Sequence, residues 1–180
     1  MRRSLLALMA IVPELSSPHS NALGASISQT IPSPDGASGA VITPVGRERK
    51  ESRVEIQKGD GKALCTHDHS SADGEHGLGV TEDRWTPDSR FFVYSTSSSG
   101  GQQPYHSPTY FFSRRTNRVR GIEELTHRMV VDQAPDLEFK VMPPHSVALV
   151  TSDGGLDNQE ITLVNFDTGA VSTRSPERFR

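Results

Sequence analysis

The chain has 180 residues, 33% of them hydrophobic and 23% charged, with a formal net charge of -3. That length supports one domain with a core, and so low an apolar content points to sheets around a thin or divided core rather than to a helical bundle. The weakly negative balance excludes the broad basic face by which nucleic acid and anionic membranes are bound.

Residues 1–24 read as an export signal: Arg2 and Arg3 precede a short apolar stretch over 5–12, and small residues follow over 20–25. Eight apolar residues fall well short of the ~20 that cross a bilayer, so an exported protein, periplasmic or secreted, is expected without stable membrane insertion. Residues 25–50 are rich in Ser, Pro and Gly, with one apolar run over 41–45. They predict a flexible lead-in holding at most one edge strand, because such composition buries too little to offset the entropy of ordering. The folded part is expected over 51–175.

From Glu51 onward the chain repeats a strand, turn, strand pattern. Val54-Glu55-Ile56-Gln57 alternates apolar and polar side chains, Gly59-Asp60-Gly61-Lys62 tolerates positive φ, and Ala63-Leu64-Cys65 resumes the extended run. Cys65 is the only cysteine, which excludes an intramolecular disulfide and suggests a small buried hydrophobe. Strands follow over 79–85 and 90–96, joined by Thr86-Pro87-Asp88-Ser89, where the fixed φ of proline favours the turn. The second of these is rich in aromatic and β-branched residues. A polar loop over 97–107 leads to strands at 109–113 and 118–122, a helical turn at 123–127, and strands at 137–142, 146–151, 161–166 and 170–173. Pro87 and Pro144, Val93 and Val150, and Asp60 and Asn117 share one offset of 57, the size of a four-stranded antiparallel unit. About ten strands, two and a half units, are expected.

The run Trp85-Thr86-Pro87-Asp88-Ser89-Arg90-Phe91-Phe92-Val93-Tyr94-Ser95 resembles the Trp-Ser-Pro-Asp-Gly-Lys blade signature of Tol-system periplasmic propellers and of the propeller domains of prolyl-oligopeptidase-like enzymes. Val164-Asn165-Phe166-Asp167-Thr168-Gly169 resembles a later strand and turn of such blades. The resemblance implies a mainly β fold, an antiparallel meander of propeller-blade-like four-stranded units. Closed propellers have four to eight blades, so the expectation is an incomplete propeller, an open β-sheet domain, or a piece of a larger propeller.

Candidate chemistry is sparse. His67 and His69, two apart on a strand, point to one face, and with His76 they could hold zinc, the alternative being a metal-binding protein or metal-dependent enzyme. A turn meeting water accounts for the same residues, and no cofactor is otherwise expected. The carboxylates over 153–160 lack the ligand order of a calcium loop and read as a hairpin connection. Ser97-Ser98-Ser99-Gly100-Gly101 has no assigned base and no nucleophile elbow. Gln102, Gln103, Tyr105 and His106 form the preferred ligand-binding surface, since a ring beside amides can hold a sugar or a peptide segment. Trp85 could lie close to them, although a core position suits its size better. The function expected is a non-catalytic binding protein for a protein or extracellular polymer, with self-association through strand edges as a further possibility.

Overall fold

The computed structural model describes residues 27–101, 103–131, 140–142, 145–153 and 158–174. Its strands form three antiparallel meanders. The first sheet contains β1 (Gln29–Pro32), β2 (Ser38–Val45), β3 (Glu51–Lys58) and β4 (Ala63–Asp68). The second contains β5 (Leu78–Trp85), β6 (Phe91–Ser98), β7 (Thr109–Ser113) and β8 (Arg118–Gly121). A one-turn helix, α1 (Ile122–Thr126), and the short β9 (Met129–Val130) lead to the third sheet, β10 (Lys140–Met142), β11 (Ser146–Ser152), β12 (Gln159–Asn165) and β13 (Val171–Arg174), with β9 also pairing β11. The domain is mainly β, built of blade-like units, and none of its sheets closes.

Alternation of side chains across a strand explains why the sheets stack in this order. In β6, Phe91 and Val93 face the third sheet, whereas Phe92 and Tyr94 face the first, and all four are buried. A strand covered on both faces reads as a continuous apolar run, which is what the sequence shows here. The core is therefore two cores. One joins Phe91, Val93, Phe111 and Ile122 to Val147, Leu149, Val164 and Phe166. The other joins Ala40, Ile42, Val54 and Ile56 to Trp85, Phe92, Tyr94 and Phe112. Each large apolar side chain so covered contributes about 1.5–3 kcal/mol.

Residues 25–50 depart from the expected lead-in: β1 and β2 form half of the first sheet, and among the described residues three antiparallel sheets, two of four strands and one of five, replace two and a half units. The Pro-Asp turn explains this. Ser33 Oγ donates to Asp35 Oδ1 (2.6 Å) and accepts from the Ser38 amide (3.0 Å); Thr86 Oγ1 donates to Asp88 Oδ1 (2.7 Å) and accepts from the Phe91 amide (3.0 Å). Ser33-Pro34-Asp35 is thus an earlier copy of Thr86-Pro87-Asp88. Its strands are ordered by surface that lies far along the chain: Ala40 and Ile42 pack with Trp85 and Phe92, and Trp85 Nε1 donates to the Ile31 carbonyl at 3.0 Å. Trp85 is accordingly a core residue. Cys65, expected to be buried, is half-buried, because it sits on the edge strand β4 opposite Ile56.

Ion pairs join these turns from sheet to sheet. Asp35 pairs with Arg114 (2.6 Å) and its amide donates to Ser89 Oγ (3.0 Å). Arg90 pairs with Asp167 and lies 2.9 Å from His145 Nε2. The loops that hold the candidate site lie at the opposite end of the sheets.

Candidate functional site

Strand alternation sends His67 toward the second sheet beside Val54, its cross-strand partner, and His69 follows it to the same side. There they meet one phenol. His67 Nδ1 lies 2.8 Å and His69 Nε2 3.2 Å from Tyr94 Oη, and the two imidazoles are 4.3 Å apart. Tyr94 is fully buried, and Tyr110, opposite it on β7, stacks on its ring at 5.4 Å. The Tyr110 ring also touches His67 (5.1 Å) and His69 (4.9 Å). Burial, and next the neighbouring His67, push the His69 imidazole down to about 4; burial also lowers His67. Burial raises the Tyr94 phenol, and burial together with Glu123 and Glu124 raises Tyr110. The pair is therefore neutral near pH 7 and locks the first sheet to the second.

The third histidine of the anticipated metal set goes elsewhere. His76 is exposed and pairs with Asp73, which raises it. Among the described residues no three His, Cys, Asp or Glu side chains converge on a point suited to a metal ion. The chain between His69 and His76 is organised by a residue that pattern reading did not single out. Glu51, fully buried, accepts from Ser71 Oγ (2.5 Å), the Ser71 amide (3.0 Å), the Gly77 amide (2.6 Å) and Ser99 Oγ (3.3 Å). The Ser71 hydroxyl, first among these, holds its carboxyl below the ordinary range. Gly77 must be glycine, since a Cβ there would stand 2.4 Å from the His69 carbonyl oxygen and 2.6 Å from the Glu51 carboxyl carbon.

Beside Tyr110 a cleft of about 450 Å³ opens between Leu78, Ser98, Gln103, His106, Pro108 and Glu123. Two of the four anticipated ligand-binding residues, Gln103 and His106, line it. Tyr105 stands nearby in the chain at 38% exposure, and Gln102 lies outside the described residues. His106 is clamped: Nδ1 lies 3.0 Å from Gln103 Oε1 and Nε2 2.8 Å from Glu123 Oε1. The same Glu123 oxygen accepts the Val130 amide at 2.8 Å. Backbone bonds hold the loop in place, because the Ser107 amide donates to Val130 (2.9 Å) while the Val131 amide donates to Val150 of β11 (3.0 Å). Sequence reading missed Glu123, Tyr94 and Tyr110. The two tyrosines share the inward face with His67, but only the stacking of the sheets reveals it.

No family profile matches the chain, and no curated protein matches it. Among solved structures it is similar to a protein from Lactobacillus plantarum, with 16% identity over 82% of this chain and 40% of that one, at a TM-score of 0.42. It is also similar to puromycin hydrolase, with 13% identity over 81% of this chain and 21% of that one, at a TM-score of 0.41. The chain thus spans less than half the length of either structure.

Proposed function

We propose that the chain is an exported, non-catalytic binding domain that takes a segment of a partner protein or extracellular polymer into the cleft beside Tyr110. The observation that carries this is the clamped imidazole: both nitrogens of His106 are engaged, by Gln103 and Glu123, at the wall of a cleft large enough for a side chain or sugar ring. An imidazole held at both nitrogens is a fixed polar group of the kind that orients a bound ligand. Gln103, Glu123 and the Tyr110 ring supply the few fixed polar groups and the apolar wall that orient a ligand. The blade signature at Trp85 is in keeping with a binding scaffold, since it resembles both the periplasmic Tol-system propellers and the propeller domains of prolyl-oligopeptidase-like enzymes. The leader over 1–24 supports export.

A photo-reactive phenylalanine at position 105 tests the proposal in an extracellular or periplasmic extract of the source organism. A discrete adduct is expected from position 105 and none from position 66, on the far face of the first sheet. Equal labelling from both positions, or none from either, would overturn it.

A further inference from the structure

Resting on the binding reading above, we infer that the group seated in the cleft is a cation: a lysine or arginine side chain carried by a partner protein. Neither lysine nor arginine lines the cleft among the described residues, and its one ionisable acid is Glu123. Glu123 Oε1 takes two neighbouring donors, the His106 imidazole and the Val130 amide, and the side chain lines the cleft. The Glu123 side chain is 32% exposed there.

The Tyr110 ring forms the adjoining wall, held from behind by His67, His69 and Tyr94. A carboxylate next to an aromatic ring presents negative potential from two sources, ion and ring quadrupole, and the combination selects ammonium and guanidinium groups over neutral ones of the same shape. Glu124 adds to that field from the same helix, its charge acting on both Tyr110 and His67. An anionic guest would be repelled by the Glu123 carboxylate, and an apolar one would desolvate it without adding to the contact that His106 already supplies.

The test uses the full chain and blocked peptides Gly-Gly-Arg-Gly-Gly and Gly-Gly-Lys-Gly-Gly, with citrulline and glutamate in place of the cation as comparisons. Binding is read from the NMR shifts of Tyr110 and His106. The arginine and lysine peptides are expected to bind at least about tenfold tighter than the citrulline peptide, a difference of about 1.4 kcal/mol, and the preference is expected to shrink as NaCl rises from about 50 to about 500 mM. Glu123→Gln, which keeps an oxygen for the Val130 amide, is expected to lose the same factor, whereas Glu55→Gln on the far face of the first sheet leaves binding unchanged. Equal binding of arginine and citrulline peptides to the wild-type chain overturns the inference without depending on any variant. An adduct at position 105 together with charge-independent peptide binding would remove the cation and keep the binding domain; absence of both removes the domain's proposed role as well.

Discussion

The two interfaces of the middle sheet use one strand, β6, and solve different problems. Toward the third sheet it offers Phe91 and Val93 to a core of carbon alone, with Phe111 and Phe166 rings 4.7 Å apart and Phe91 and Phe166 rings 5.1 Å apart. Toward the first sheet it offers Phe92 to Trp85 and Phe112, but then Tyr94, whose hydroxyl needs partners and finds His67 and His69. The ring contacts of the apolar interface carry stability that does not titrate. The mixed interface gives up some of that for fixed polar groups behind the cleft, because a buried hydrogen-bonded network holds one geometry only when every member is satisfied.

The comparison can be broken most severely at Phe111. Phe111→Ala removes a ring buried in the apolar interface and is expected to cost about 3–5 kcal/mol in a denaturant titration, with little change in its pH dependence. Tyr94→Phe should cost less, about 1–3 kcal/mol, since it keeps the ring and leaves two imidazole nitrogens without their partner. No measurable loss would mean that the ring contacts, and not the hydroxyl, hold the mixed interface.

Acid sharpens the contrast. His69 is depressed in the folded protein to about 4 from its ordinary value of 6.5, so the unfolded chain binds the proton first. The contribution is fully present above pH 6.5 and is lost as pH falls toward 4; His67 acts in the same direction. Stability measured across that window should decline for the wild-type chain and decline less for His69→Gln. An unchanged slope in the variant would assign the acid limb to carboxylates. Smallest of all is Arg114→Gln at the Pro-Asp end, where loss of the partly exposed pair with Asp35 is expected to lower the thermal unfolding midpoint slightly at low salt and not at high salt.

How much could be read beforehand varied with the distance of the cause along the chain. The hairpin at Asp60, the strand from Phe91 and the turn at Asn117 depend on neighbours within a few residues, and they are found where pattern placed them. The 57-residue offset aligned equivalent strands of the second and third sheets, β6 with β11. Ser33-Pro34-Asp35 escaped notice because its strands are covered by Trp85 and Phe92, some fifty residues later. At the site, Gln103 and His106 were legible from composition and His67 and His69 from their spacing. His76 separated from them because its partner, the Asp73 carboxylate, is local, whereas theirs, the Tyr94 hydroxyl, belongs to another sheet.

The period of two along each strand, the Pro-Asp and Gly-containing turns, and the unit of four antiparallel strands are written into the order of the residues, since all three follow from backbone geometry and nearest neighbours. Packing between the sheets settles which face of each strand is covered, that β1 at Gln29–Pro32 joins the first sheet, and that Glu123 and Tyr110 complete the cleft. Those choices depend on apolar area and hydrogen-bond partners contributed by residues tens of positions away. No local pattern records them.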